Sequence, residues 1–318
     1  MGRQKDSMDP DVSFHDDDTV EILPAASAFP QAQLVDPASA VVEVDIAGLT
    51  HTGHVRTNNE DHYLVVRIER SLQTMMTNLI DGSLPERFHE VAYGMLVADG
   101  MGGCAAGEVA SSMALIKLVE LAVETPDWVM RMHKRENADT VMRRMTERFR
   151  VIDSAMRVQS ESDPSLTGMG TTLTVVASLG AELFVGHIGD SRAYLFRNER
   201  LHQLTRDNTL AQELIDAGIA RPEDTATQAM RHVLTAALAA GEQSDPQVQR
   251  FHLSDGDQVL LCTDGLTEMV RDETIATILN DADSATQACQ TLIDLALAAG
   301  GSDNTTVVLA RYRFQNPE

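Results

Sequence analysis

Aromatic residues are scarce in this sequence: they make up 4% of 318 residues, with a single tryptophan. Packing therefore falls to Ala, Val, Leu, Ile and Met, and the 43% hydrophobic content still suffices for one large domain or two small ones. Cations are few as well. Only 25 Lys and Arg stand against 48 Asp and Glu, a formal charge of −23, which repels nucleic-acid backbones and anionic membranes and excludes both as partners. No apolar run approaches the roughly 18 residues of a membrane span, and the start Met1-Gly2-Arg3-Gln4-Lys5-Asp6-Ser7 lacks an apolar secretory core. The expectation is a soluble, cytoplasmic protein without membrane insertion. Met1-Gly2 resembles the start of an acylation motif, but that motif needs Ser or Thr where Asp6 stands. The three cysteines, Cys104, Cys262 and Cys289, are odd in number and lack metal-type spacing, which argues against a disulfide framework and a zinc site.

The acids are unevenly spread. Residues 1–45 hold ten acids against Arg3 and Lys5, together with four of the ten prolines, and show no apolar period. Such a segment cannot offset its ordering entropy by burial and reads as an acidic, disordered leader. From about residue 46 short strand-like runs appear at Tyr63 to Val66, Tyr93 to Ala98, Thr172 to Ser178, Leu183 to Ile188, Ala193 to Phe196, Val248 to Leu253, Gln258 to Thr263 and Thr305 to Tyr312. Helical periodicity marks about Glu108 to Glu124, about Ala138 to Val158, and Ala285 to Ala296, where Ala285, Ala288, Cys289, Leu292, Ile293 and Ala296 share one face. Distant strands with helices between them imply packed antiparallel sheets flanked by helices, not a βαβ repeat.

Several acids sit at the ends of apolar strand runs beside glycine. Met95-Leu96-Val97-Ala98 ends in Asp99-Gly100-Met101-Gly102-Gly103, Leu260-Leu261-Cys262-Thr263 ends in Asp264-Gly265, and Gly300-Gly301-Ser302-Asp303-Asn304 precedes the last strand run. An Asp leaving a buried strand is held rigidly, and a following Gly permits a sharp turn or a close carbonyl approach to an ion. The competing reading is an ordinary turn, since Asp-Gly is the commonest hairpin signal. Asp255-Gly256-Asp257, flanked by strand patterns, is read as such a hairpin turn. A fourth acidic site, Arg56-Thr57-Asn58-Asn59-Glu60-Asp61, places an arginine before two adjacent acids. Oxygen-only ligands favour Mg²⁺ or Mn²⁺ over Zn²⁺, and one arginine beside them can hold a phosphate bidentately.

In this order the motifs resemble those of the metal-dependent protein phosphatases of the PPM, or PP2C, family in its bacterial form. The resemblance covers about 46–313 and rests on Arg56 with Asn59-Glu60-Asp61, Asp99-Gly100-Met101-Gly102-Gly103, Gly170-Thr171-Thr172, Gly189-Asp190-Ser191-Arg192, Leu204-Thr205-Arg206-Asp207, Asp264-Gly265-Leu266 and Asp303-Asn304. It implies an α+β fold, a four-layer α/β/β/α sandwich of two antiparallel sheets with a dimetal centre at one end. It further implies two Mn²⁺ or Mg²⁺ ions: Asp99 bridging both, the Gly100 carbonyl, Asp264 and Asp303 as ligands, Glu60 acting on the second ion largely through water, and Asp61 orienting water. Arg56 would hold the substrate phosphate. Asp190 and Glu268 would bind a weaker third ion, or Asp190 would only fix its turn. Phosphoserine and phosphothreonine on proteins would be hydrolysed by activated water without a phosphoenzyme.

Phosphoprotein substrates, an opposing Ser/Thr kinase and a monomeric state complete the expectation. The competing class is an inactive relative that binds phosphoproteins, which the retained acids Glu60, Asp61, Asp99, Asp264 and Asp303 disfavour. Where eukaryotic relatives carry a histidine as general acid this chain has Met101, leaving His54, His62 or bound water for that role. Cys104 and Asn208 stand where bacterial relatives often have histidine. Arg192 serves a core salt bridge or a turn. A flap is expected over about 205–241, a surface insertion over about 69–90 and a tail over 314–318.

Overall fold

The structure is a computed structural model and describes residues 42–79, 87–102, 106–124, 135–221, 224, 227, 229–241, 243 and 245–314. The strands are β1 (Val42–His51), β2 (Asp61–Gln73) and β3 (Arg87–Met101), then β4 (Gly170–Thr171), β5 (Leu173–Leu179), β6 (Glu182–Ile188), β7 (Arg192–Arg197), β8 (Arg200–Gln203), β9 (Gln247–His252), β10 (Gln258–Cys262) and β11 (Thr305–Phe314). They form two antiparallel sheets, one in the order β1-β11-β10-β7-β8 and the other β2-β3-β5-β6-β9 with β4 against the end of β3. Helices α1 (Ala106–Glu124) and α2 (Arg135–Ser162) lie between β3 and β4 in the chain; α3 (Leu210–Asp216) follows β8; and α4 (Asp264–Thr267), α5 (Asp272–Asp281) and α6 (Ala285–Ala298) lie between β10 and β11.

Three apolar clusters define four layers. Met95, Val97, Val185, Leu195, Leu261 and Tyr312 pack between the sheets. Ala110, Ala114, Phe149 and Ile152 pack α1 and α2 against the second sheet, and Ile275, Leu279, Ala288, Leu292 and Ala296 pack α5 and α6 against the first. The sparing use of aromatics shows here: alanines at the helix–sheet contacts let the helices approach closely. Ser284 starts α6 by accepting a hydrogen bond from Gln287 N at 3.2 Å. No helix among the described residues is long and apolar enough to cross a membrane.

The sequence reading needs three corrections. Val42 to Asp45, assigned to the leader, are the first residues of β1 and pair with Phe314 to Arg311. Val42, Val44 and Ile46 pack on the inter-sheet core while Glu43 and Asp45 alternate away from them, so the acids concealed a strand. Residues 1–41 lie outside the described residues. Phe314, placed in the tail, closes β11, and 315–318 lie outside the described residues. Asp255-Gly256-Asp257 is not a hairpin turn, because β9 pairs with β6 while β10 pairs with β7 and β11 in the other sheet. The turn crosses between the layers. It is fixed by Gly256 N donating to Tyr312 O (3.0 Å), Tyr312 N donating to Asp257 O (2.9 Å) and Arg197 Nε donating to the buried Asp257 carboxylate (2.8 Å). Residues 69–73 pair with 87–91 and prolong the β2–β3 ribbon; 74–79 lie outside the strands, and 80–86 lie outside the described residues.

Candidate metal centre and active site

Strand ends bring the acids together. Asp61 opens β2 and stands directly opposite Asp99 in the β2–β3 register. Opposite residues of an antiparallel pair project to the same face, so the ladder forces two carboxylates side by side, an arrangement like charges oppose. Asp264 opens α4 just beyond β10, and Asp303 lies just before β11; the pairing of Cys262 with Val307 carries both to the same end of the sandwich. The glycine after each aspartate is there for close approach. A Cβ on Gly100 would lie 2.1 Å from Gly107 O and 2.8 Å from Glu60 O, and one on Gly265 would lie 2.0 Å from Asn304 O. Neither has a positive φ, so space and not a left-handed turn requires glycine there.

The loop before β2 hangs on Asn304. Its Nδ2 donates to Thr52 O (2.9 Å) and Asn58 O (2.8 Å), and its Oδ1 accepts from Glu60 N (2.8 Å). Glu60 O in turn accepts from Ser111 Oγ (2.5 Å) and Gly100 N (3.2 Å). Arg56 leaves this loop and donates from Nη2 to Asp303 Oδ2 at 2.6 Å while its side chain stays 52% exposed. Asp61 is buried; its Oδ2 accepts from Thr306 Oγ1 (2.7 Å) and Thr263 Oγ1 (2.8 Å). The backbone of Asp99 is held on both sides, with N donating to Thr172 Oγ1 (2.9 Å) and O accepting from Thr172 N (2.9 Å) and Thr171 Oγ1 (2.8 Å).

The cluster resists ionisation without a cation. Burial pushes Asp61 up to about 7 despite its two threonine hydrogen bonds. Burial, then the charges of Asp61 and Asp264, hold Asp99 well above the carboxylate range; burial and Asp303 raise Asp264, and burial also raises Glu60. Burial, followed by Asp264, raises Asp190 well above the usual range and Glu268 to about 7. Asp61 Oδ1 and Asp264 Oδ1 are buried without a hydrogen-bond partner. Unpartnered carboxylate oxygens within a crowd of carboxylates fit hard divalent cations such as Mn²⁺ or Mg²⁺.

The residues expected at the third site are arranged differently from the reading. Ligand atoms of Asp264, Glu268 and His232 lie within 4.8 Å of one another, and Asp190 is not among them. His232 Nδ1 is 2.6 Å from Glu268 Oε1. No sequence pattern marks His232, since its segment has no period. Asn304, Thr263, Thr306 and Ser111 were also missed as supports: Asn304 was seen only as part of a motif, and the threonines read as strand formers. His62 is bonded to Ser111 Oγ (2.9 Å) beneath α1, a structural setting. Arg192 forms the salt bridge, donating from Nη2 (2.6 Å) and Nε (2.9 Å) to Asp207. Asn208 Oδ1 accepts from Gly189 N (2.9 Å) and steadies the turn that carries Asp190. Cys104 and Gly103 lie outside the described residues.

The family model described as Protein phosphatase 2C matches residues 87–295. The chain is 40% identical over 216 residues to the serine/threonine protein phosphatase PstP of Mycobacterium tuberculosis, covering 68% of this chain and 40% of PstP. It thus spans well under half the length of that relative. It is 32% identical over 277 residues to the protein phosphatase PhpP of Streptococcus pneumoniae, covering 86% of this chain and 100% of PhpP. Its fold is similar to a crystal structure of the catalytic domain of PstP in complex with two manganese ions, with a TM-score of 0.66 at 34% identity, covering 86% of this chain and 99% of that one.

Proposed function

This chain belongs to the protein phosphatase 2C family, and on that premise we propose that it is a metal-dependent hydrolase of phosphoserine and phosphothreonine on proteins. The observation that carries the reading is the convergence of Asp61, Asp99, Asp264 and Asp303 on one end of the sandwich, with two buried carboxylate oxygens unpartnered. Asp99, Asp264, Asp303 and the Gly100 carbonyl are the residues that would hold Mn²⁺ or Mg²⁺, with Glu60 acting on the second ion through water. Two such ions polarise a phosphoryl oxygen and lower the pKa of water so that a nucleophile exists near neutral pH.

The chain's own groups do the rest. Arg56, half-exposed and with one arm on Asp303, receives the phosphoryl oxygens and sets the phosphorus in line for attack. Asp61 Oδ1, the oxygen its two threonines leave free, accepts a hydrogen bond from the attacking water and orients it. Water displaces the seryl or threonyl oxygen from phosphorus in one step, the P–O bond to that oxygen breaking as the new one forms and the freed oxygen taking its proton from solvent, so no phosphoenzyme forms. Glu268, with Asp264 and His232 beside it, serves a weaker third ion, Asp190 fixes its own turn, and the 205–241 segment is the flap that meets the protein part of the substrate. The acidic chain would act as a cytoplasmic monomer; a single-chain elution volume tests the oligomeric part. A hydrolase of protein phosphate needs that phosphate made, so a Ser/Thr kinase is its functional counterpart.

Phosphate release from a phosphothreonine peptide with Mn²⁺ tests this reading. Rapid release that stops with excess chelator and returns with Mn²⁺ is expected. Release indifferent to the chelator contradicts it.

A further inference from the structure

Among the buried acids outside the carboxylate cluster, Asp153 is unused by the chemistry above. Asp153 of α2 is 4% exposed. Its Oδ2 accepts from Arg157 Nε at 2.8 Å, one turn along the helix. Its Oδ1 accepts from Ala239 N at 2.7 Å. Ala239 has φ +59°, in the left-handed region that an L side chain enters only at a cost. Arg157 Nη1 adds a hydrogen bond to Gly241 O at 3.1 Å. Together, the carboxylate and the guanidinium grip the 239–241 backbone on both sides of its strained residue.

That backbone reaches the cation centre in three short steps. Leu238 exchanges two hydrogen bonds with Thr171, N to O at 2.9 Å and O from N at 3.1 Å. Ala240 and Leu238 O lie so close to Gly170 that a Cβ there would meet them at 2.9 and 3.2 Å, leaving no slack between the segments. Thr171 Oγ1 and Thr172 N then both donate to Asp99 O, while Thr172 Oγ1 accepts from Asp99 N. We infer that Asp153, with Arg157, is a positioning residue for the cation centre: it holds the strained 238–241 backbone against Thr171 and thereby fixes the backbone of Asp99. The inference rests on the reading of Asp99 as a metal ligand. Outer residues that orient metal ligands characteristically govern metal affinity, although they never touch the ion.

The test uses the full chain and Mn²⁺ alone as probe. Calorimetric titration should show Mn²⁺ bound about tenfold more weakly by Asp153→Ala than by the wild type, in a variant whose circular dichroism is native. In the metal-free protein the amides of Thr171 and Leu238 should exchange faster. Adding Ala239→Gly to Asp153→Ala should restore affinity to within about threefold, because glycine adopts φ +59° without the carboxylate's help; a merely structural Asp153 would show no such rescue. Should Asp153→Ala fail to fold, Arg157→Gln, which leaves the bond to Ala239, should weaken Mn²⁺ by about threefold. An unchanged Mn²⁺ affinity in a folded variant, or no recovery with the glycine, overturns the inference. No Mn²⁺ binding by the wild type overturns the reading of the site itself, a separate result.

Discussion

In the proposed function the Arg56 side chain serves two states of the site, bonded to Asp303 and receiving phosphate. Its hydrogen bond to Asp303 raises its pKa above the ordinary arginine value, and its charge lowers the Glu60 carboxyl against the burial that raises it. Lysine would keep that charge but lose the planar pair of donors. Arg56→Lys should therefore lower kcat/KM for a phosphothreonine peptide by about thirtyfold with little change in Mn²⁺ affinity, read from steady-state kinetics beside calorimetry. An equal loss in both would make Arg56 a support for the metal ligands instead. At this scale the acids were legible because Asp99 and Asp264 end apolar strand runs while Asp61 and Asp303 stand just at or before the start of others. What the sequence concealed is why glycine follows Asp99 and Asp264: it makes room for Gly107 O and Asn304 O, contacts between chain segments that no local pattern encodes.

Elements decide how far damage spreads. Helix α6 buries Ala285, Ala288, Cys289, Leu292, Ile293 and Ala296 against the first sheet, the face its period predicts. Leu292 is completely buried, so Leu292→Ala should cost about 3 kcal/mol in denaturant unfolding while leaving Mn²⁺ affinity intact. Loss of Mn²⁺ binding in that variant would mean that the layer is coupled to the centre. Periodicity revealed such elements well because burial on one face imposes it. The β9–β10 turn was misread for the opposite reason: alternating strands around Asp255-Gly256-Asp257 look alike whether they share a sheet or change layer, and the deciding contact is with Tyr312. Likewise Val42 and Val44 alternate with acids, and only pairing with β11 separates strand from leader.

For the whole molecule the crowded carboxylates set the pH behaviour of the metal-free protein. Asp61 titrates near 7 in the fold against about 3.9 unfolded, so the folded state binds more protons between those values. The stability contributed by protonated Asp61 is present below about 4 and is lost as pH rises through about 7. His187 acts in the opposite sense, since burial lowers it to about 4 and its contribution is lost as pH falls below about 6.5. The metal-free melting temperature should therefore rise as pH falls from 8 to 6.5, whereas with saturating Mn²⁺ it should be higher at pH 8 and fall along the same path, because protons then compete with the cations. Identical trends with and without Mn²⁺ would mean that the acids are not the cation's ligands.

The central claim is the proposal that Asp99, placed by the β2–β3 register against Asp61, holds the cations on which phosphate release by this chain would depend. Its most direct test is the rate of phosphate release from a phosphothreonine peptide by Asp99→Asn beside the wild type at saturating Mn²⁺. The account predicts a loss of about a thousandfold or more in a folded variant; a rate within about threefold of wild type would contradict it.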